Sequence, residues 1–419
     1  MSTTEKKYRT RTPRSAALNE RATTVLPGGE ARSAAYHPPY SVVVDHGQGS
    51  RLWDIDGNEY LDLNYNYSSL LHGHAFPPIV EATQAAIARG SSFAGRTESQ
   101  VELAELIAGR VRSIDQVRYV NSGTEAVQLA IMIARAYNGR SKILVAEHSF
   151  HGHFLDPYRF RREAATTLVG THYATFGDAE SFEKVLDEYG DEIALVLLEP
   201  WMGAGGLVGA PREFFTRVQA AAANAGALFV LDEAGTFRLS LGGGQALLDI
   251  DPDLTILGKY VGGGFAFGGV GGRAELMELT NPAGGVLHVS GTFSGNPVTV
   301  AAGIAAVRHV TAEQIDVMGR QMEQIDLALA RSAAAHQLPY SSRRVGSIIN
   351  IWLSEEPPVV NQLRTDRRLA RLFHLACMVQ GVFATPRTML YVSTVMSDAD
   401  VAEVIERLDA ALADVAAEA

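Results

Sequence analysis

Between residues 116 and 272 short apolar runs alternate with stretches of helical period, and several runs, IALVLLEP, ALFVLDEA and LTILGK among them, carry almost no polar residue. A strand with one wet face alternates polar with apolar residues; a strand with none must be covered by helices on both sides. The pattern therefore predicts mostly parallel strands joined by helical crossovers, in three layers of helix, sheet and helix. The predicted strands are QVRYVNS, KILVAEH, TTLVGTH, IALVLLEP, ALFVLDEA, LTILGK and FAFGGVGG, and the helices between them are GTEAVQLAIMIARAYNG, DAESFEKVLDEYG and PREFFTRVQAAAANAG.

The flanks have a different character. SAALNERATTVLPGG reads as a helix running into a loop, and VVVDHGQGSRLWDIDGNEYLDL as two or three short antiparallel strands turned at Asp56-Gly57. PPIVEATQAAIARG and ESQVELAELIAGRV repeat apolar residues at three and four, and so are helices. Past residue 310 the expected order is a long helix with its continuation over 315–346, a strand at VGSIINIWLS, a helix at TDRRLARLFHLACMVQGV, a strand at MLYVSTVM and a last helix from DADVAEV onward. The expected division is an N-terminal segment, 1–59, a large domain, 60–310, and a smaller C-terminal domain, 311–419.

Charge and cysteine content narrow the class. With 47 acidic against 36 basic residues the net charge is -11, which disfavours a nucleic-acid groove. The one cysteine, Cys377, lies in the apolar context FHLACMVQ and can form no intramolecular disulfide. The amino terminus, STTEKKYRTRTPRS, leads into no apolar core of a secretory signal and reads as a mobile tail. No run approaches the roughly 18 apolar residues of a membrane span. A soluble cytoplasmic protein is expected.

Within the alternating block, Lys259 stands where an apolar run meets a glycine-rich one, in DLTILGKYVGGGFAFGGVGG. Burial lowers a lysine pKa, and an amine that is neutral near physiological pH can form a Schiff base with a carbonyl cofactor; a strand-end lysine reaching out to water is the plainer alternative. Asp232 closes the strand ALFVLD, at the end where α/β sheets bind ligands, and can keep a pyridine nitrogen protonated or simply cap a turn. Asn121-Ser122-Gly123-Thr124-Glu125 sits at a strand-to-helix junction, where backbone N–H groups and hydroxyls suit either a phosphate or an ordinary helix cap. Neither GxxxxGK[ST] nor GxGxxG after the first strand is present, against the nucleotide-binding versions of this fold. Each feature is ambiguous alone. Together, Lys259 on an aldehyde, Asp232 on a ring nitrogen and residues 122–124 on a phosphate fit the three corners of pyridoxal 5'-phosphate. Phe150 in HSFHGHF could stack on the ring or pack in the core, and Thr292 in HVSGTFSGNP suits a phosphate oxygen. His151 and His153 lack a third partner at metal-ligand spacing, so no metal is expected. Glu199-Pro200 ends another strand, before a glycine-rich loop.

The segments LWDIDGNEYLDL, NSGTEA, SFHG, LLEP, LDEAGTFRL, DPDLTILGKYVGGGFAFGGVGG and GTFSGNP, in this order over nearly the whole chain, resemble the class III (subgroup II) aminotransferases, which are fold-type I pyridoxal-phosphate enzymes. The resemblance implies an α/β fold with a mostly parallel seven-stranded sheet in the large domain and a smaller α+β domain formed by the two chain ends. It makes Lys259 the Schiff-base lysine and proton shuttle, Asp232 the partner of the pyridine nitrogen and Phe150 the stacking residue, in a place often held by tyrosine. Ser122, Gly123 and Thr124 would hold the phosphate, and Thr292 would reach the phosphate bound by the other subunit of a homodimer with active sites at the interface.

Within the family the chain looks most like the aromatic β-amino acid (β-phenylalanine) transaminases, and also like glutamate-1-semialdehyde aminomutase. Arg32 in ARSAAYHPP and Arg387 in FATPRTMLYVS match carboxylate-binding arginines of the former, and a guanidinium is a two-pronged fit to a carboxylate. The implied reaction moves the amino group of a β-amino acid donor to a 2-oxo acid acceptor such as 2-oxoglutarate or pyruvate, with Tyr36, Tyr65 and Tyr67 as candidates to line the pocket. The alternatives are a 2,1-aminomutase and an ω-amino acid or amine transaminase. Ala234-Gly235 departs from the bulkier pair usual after Asp-Glu and implies extra room beside the ring or a shifted cofactor.

Overall fold

The run IALVLL becomes strand Ile193–Leu198, with all six residues buried, and it lies at the heart of a seven-stranded sheet. The computed structural model describes residues 1–155, 170–358 and 368–419. They divide into two compact units, Pro77–Ala312 and a second one pairing Met1–Phe76 with Glu313–Ala419.

In the first unit the strands are β1 (Gln116–Val120), β2 (Lys142–Ala146), β3 (Thr171–Ala174), β4 (Ile193–Leu198), β5 (Leu228–Asp232), β6 (Leu254–Gly258) and β7 (Gly268–Gly272), in the spatial order β1-β7-β6-β5-β4-β2-β3. Pairs along β6-β5-β4-β2-β3 are parallel, whereas β7 runs antiparallel to both neighbours. The reason is the connection. Helical crossovers return a strand parallel, but only nine residues separate β6 from β7, too few for a crossover. β7 reads Gly-Gly-Val-Gly-Gly, and a Cβ on Gly268 would stand 2.0 Å from the Ser122 carbonyl oxygen, so only glycine lets this strand lie against the Ser122 turn. Of the predicted strand TTLVGTH, residues 166–169 lie outside the described residues.

Helix Gly123–Asn138 follows β1. Ser122 caps it, its Oγ accepting from the Glu125 N–H, and Gly139 ends it at φ +72°. Its buried face, including Val127, Leu129, Ile131 and Ile133, joins the core made with Ile143, Val145, Leu195, Leu197, Val230 and Ile256. Burial of each such side chain is worth about 1.5–3 kcal/mol before chain entropy is subtracted, which fixes the sheet as the rigid platform of this unit. Helix Arg212–Ala225 packs on β5 and on helix Ala179–Tyr189.

The second unit carries two small sheets. One orders Val44–Gln48, Arg51–Asp54, Glu59–Asp62 and Val382–Phe383, the last parallel to its neighbour; the other orders Ser341–Val345, Ile348–Trp352 and Met389–Tyr391, all antiparallel. Helices Pro13–Ala22, Ala312–Ala335, Arg368–Val379 and Asp398–Ala416 accompany them. Residues 365–367 of the expected helix TDRRLARLFHLACMVQGV lie outside the described residues.

Two expectations are corrected here. The basic amino terminus is a helix, Thr3–Arg11, rather than a mobile tail. Glu418 accepts from the Thr3 and Thr4 amides at 3.0 and 2.6 Å, Lys7 pairs with Asp414 at 2.7 Å, and Tyr8 is 1% exposed with its hydroxyl on the Tyr40 carbonyl. Ser2 caps the helix locally, its Oγ accepting from the Glu5 N–H at 3.0 Å, while the docking contacts come from the far end of the chain, beyond any local reading. The long helix expected over 315–346 stops at Ala335, because Pro339 cannot continue it, and residues 341–345 form a strand that turns back at Gly346, φ +48°.

Candidate active site

Since β7 is antiparallel to both β1 and β6, those two run parallel to each other, and the carboxyl ends of β1, β5 and β6 leave the sheet on one edge. Asn121, Asp232 and Lys259 stand there. Lys259 adopts φ +50°, a left-handed conformation that costs a side chain about 1–2 kcal/mol. The turn beyond it, Lys259–Gly262, is closed by a Gly263 N–H to Tyr260 carbonyl bond of 2.8 Å. A Cβ on Gly235 would lie 3.2 Å from Lys259 Nζ, and the Ala234 Cβ approaches the site of a Gly258 Cβ to 3.3 Å and of a Gly123 Cβ to 3.8 Å. Small residues at 123, 234, 235 and 258 thus let three turns converge on the lysine. Burial pushes the Lys259 amine below the usual lysine value; Arg238 adds to this, while Asp232 and Glu199 oppose it. The residue nevertheless keeps exposed surface, so its amine is open to a ligand.

Asp232 is 6% exposed and held from two sides. Its Oδ2 lies 2.9 Å from Nδ1 of His151, itself 1% exposed, and its Oδ1 accepts from the Ala234 N–H at 3.1 Å. An ionised carboxylate only accepts, so His151 carries its hydrogen on Nδ1. Nε2 of His151 is buried without a hydrogen-bond partner among the described residues. Glu199 completes the group: its two oxygens accept from the Phe150 and Gly203 amides, both at 3.1 Å. Burial raises the Glu199 pKa, with His151 opposing and Asp232 adding. His153 is exposed, and no group of three or more potential metal ligands occurs among the described residues. Sequence reasoning weighed His151 only as a metal ligand and missed its place beside Asp232. Its only local signal was a histidine just after β2, and the partner is 81 positions away.

At the end of β1, Ser122 Oγ and the Glu125 carboxylate are occupied in capping: Glu125 N–H to Ser122 is 3.1 Å and Asn121 N–H to Glu125 is 2.7 Å. The amides of Gly123 and Thr124 have no partner among the described residues, as expected of a first helical turn. The loop after β2 lies against this turn, since a Cβ on Gly152 would meet Thr124 Oγ1 at 2.7 Å. Phe150 in that loop is exposed, at 37%. Thr292 is exposed, two residues before Ser294, whose Oγ accepts from Asn121 Nδ2 at 3.4 Å.

The remaining candidates lie in the other unit. Arg32 Nη2 donates to Asn66 Oδ1 at 2.5 Å, and its guanidinium lies 5.5 Å from the centre of the Tyr67 ring. The Tyr67 hydroxyl donates to the Ala34 carbonyl. Burial raises the Tyr67 pKa, and the nearby charges of Arg387 and Arg32 oppose it, so both guanidiniums act on one phenol. Neither arginine makes an ion pair among the described residues, and both are exposed. Tyr36 is exposed as well. Tyr65, expected to line a pocket, is instead 0% exposed, its ring 6.2 Å from that of His74, and offers no surface to a ligand.

The class-III aminotransferase family matches residues 32–412. The chain belongs to that family. Glutamate-1-semialdehyde 2,1-aminomutase 2 of Bacillus anthracis is 35% identical over 424 aligned positions, covering 95% of this chain and 98% of that protein. Among solved structures, an ω-transaminase from Sphaerobacter thermophilus superposes with a TM-score of 0.90 at 35% identity, over 96% of this chain and 97% of that one. A β-phenylalanine aminotransferase from Variovorax paradoxus does so with a TM-score of 0.91 at 32% identity, over 97% and 96%. This class-III aminotransferase chain is thus a pyridoxal phosphate-dependent enzyme of the transaminase and aminomutase kind.

The site's own chemistry fits that cofactor. A dianionic phosphate suits the two unpartnered amides at the start of a 16-residue helix. An aldehyde needs a neutral amine, and burial has depressed the pKa of Lys259. A protonated ring nitrogen needs a fixed anion, and Asp232 is one. The missing Cβ of Gly235 leaves the space beside Nζ clear.

Proposed function

We propose that this enzyme transfers an amino group from an acid whose nitrogen lies beyond the carbon next to the carboxylate, an ω- or β-amino acid, to a 2-oxo acid such as 2-oxoglutarate or pyruvate. The observation that carries the reading is Arg32 over the Tyr67 ring, a phenol on which the Arg387 charge also acts, with neither arginine in an ion pair among the described residues. Exposed and without an ion-pair partner among the described residues, both guanidiniums are free to take an anion, and a carboxylate is the anion whose planar geometry a guanidinium matches. The likenesses to an ω-transaminase at 35% identity and to a β-phenylalanine aminotransferase at 32% both support a donor of this kind.

When bound, pyridoxal phosphate supplies an aldehyde to hold the amino nitrogen and a ring that accepts the electrons of a broken C–H bond. The protein's part is placement and proton transfer. Lys259, released as a free amine, would be the base that takes the proton from the carbon bearing nitrogen and delivers it to the aldehyde-derived carbon on the other side of that nitrogen. Asp232, fixed by His151 and the Ala234 amide, holds the ring proton in place. Gly123, Thr124 and Ser122 bind the phosphate, Phe150 lies on the ring face, and Thr292 reaches the phosphate held by a second copy of the chain in a homodimer.

A second reading, an intramolecular 2,1-aminomutase, is supported by the 35% identity to glutamate-1-semialdehyde 2,1-aminomutase 2. The two differ in need for an acceptor. Purified enzyme is mixed with β-, ω- and α-amino acids and with glutamate-1-semialdehyde, each with and without 2-oxoglutarate or pyruvate. The transaminase reading expects sustained turnover of an ω- or β-amino acid only with a 2-oxo acid; sustained isomerisation of the amino aldehyde with none added would replace it by the aminomutase.

A further inference from the structure

Residues 65–68, Tyr-Asn-Tyr-Ser, have φ of +43°, +51°, +56° and +73°, four consecutive left-handed residues with no glycine among them. Each such residue costs roughly 1–2 kcal/mol, so the turn persists only because other groups compel it. The clamps are visible. Asp62 Oδ1 accepts from the amides of Asn64 and Tyr65 at 2.7 and 2.9 Å, while its Oδ2 is held by His74 Nε2 at 2.7 Å. The Asn64 side chain accepts from the Tyr67 amide at 2.8 Å, and the Leu70 amide closes onto the Tyr65 carbonyl at 3.0 Å.

Strain of this kind is expected where a fold holds something in an otherwise unfavourable place. What this turn holds is the segment carrying Arg32. Its second residue, Asn66, takes a hydrogen bond from the Arg32 guanidinium. Its third, Tyr67, lies under that guanidinium and bonds through its hydroxyl to the Ala34 carbonyl. Asn66 presents a neutral acceptor, so Arg32 is oriented without losing its charge to a carboxylate and stays available to an anion.

We propose that Asn66 and Tyr67 are positioning residues which the strained turn presents so as to fix Arg32, and that they thereby set how strongly the enzyme prefers carboxylate-bearing donors. The proposal rests on the reading that Arg32 binds the substrate carboxylate.

The test uses the holoenzyme with 3-aminobutanoate and its carboxylate-free counterpart 2-aminobutane as donors, and calorimetric binding of glutarate as a measurement independent of turnover. Asn66→Gly removes the acceptor while relieving a positive φ, so it does not threaten folding. It is expected to raise KM for 3-aminobutanoate and the dissociation constant for glutarate about tenfold, with kcat and the 2-aminobutane KM within about twofold of the parent. Tyr67→Phe, which keeps the ring and loses only the bond to Ala34, should raise the 3-aminobutanoate KM and the glutarate dissociation constant by a smaller factor. Asn66→Asp, which keeps the acceptor and adds a charge that competes with the substrate, should also raise the carboxylate KM while leaving 2-aminobutane unchanged. Arg32→Ala is the control. If it leaves the 3-aminobutanoate KM unaltered, the assignment of Arg32 to the carboxylate fails and this proposal with it. If Arg32→Ala weakens carboxylate binding but Asn66→Gly and Tyr67→Phe do not, or weaken both donors equally, the positioning role alone is wrong.

Discussion

A histidine that holds an aspartate is worth more to this site than its distance from the reacting atoms implies. Asp232 has to stay anionic and correctly turned, and the Nδ1 hydrogen of His151 with the Ala234 amide supplies both. Replacing Asp232 with asparagine removes the charge and is expected to lower kcat by about 10²–10³-fold, measured in single turnovers with a deuterated donor. His151→Phe keeps the buried ring but loses the donor. It should lower kcat by roughly tenfold or more with little change in donor KM. Gly235→Val tests the space beside Nζ, since its Cβ would stand 3.2 Å away and its methyl groups must also be placed. Cofactor bound per chain should fall while the melting temperature stays near the parent's. Full occupancy would show the space is not needed.

At the scale of elements, the acid response of the amino-terminal loop follows from His37. The ring is 6% exposed, packed edge-on at 4.4 Å to His374 and at 5.9 Å to Tyr8, and burial lowers its pKa to about 4, with the Arg371 charge acting the same way. The unfolded chain protonates this histidine near its ordinary value of 6.5. Between pH 6.5 and about 4 the unfolded state therefore holds the extra proton, and stability falls as pH drops, by about 3 kcal/mol across the window. Stability is fully retained above 6.5. His37→Phe, measured by denaturant unfolding from pH 7.5 to 4, is expected to flatten that slope; an unchanged slope would show that other groups carry it. Element boundaries were legible where their causes were local. Ser122 and Gly139 bracket their helix in the sequence itself, and Pro339 with Gly346 marked a break that apolar period alone ran through. Helix Thr3–Arg11 had a local cap in Ser2, whose Oγ accepts from the Glu5 amide, but the contacts that dock it, from Glu418 and Asp414, come from the other chain end.

At the scale of the whole molecule, the seven-stranded sheet was written in near-continuous apolar runs, and the positions of Lys259 and Asp232 at strand ends followed from where those runs stop. What sequence spacing could not supply were pairings across tens of residues, His151 with Asp232 and Arg32 with Asn66, and a left-handed turn built without glycine. The homodimer proposed above makes its own prediction. Thr292→Val should weaken phosphate retention, seen as faster cofactor loss on dialysis, only under conditions in which sedimentation shows two chains together; equal loss from a single chain would remove the cross-subunit role.

The central claim is that Lys259, left-handed and with a depressed pKa, carries the cofactor. Borohydride reduction of the holoenzyme, followed by digestion and mass spectrometry, tests it directly. The reduced cofactor should be found on Lys259, in the peptide containing LGKYVGGG, at close to one per chain. A label on another lysine, or none, would contradict the account.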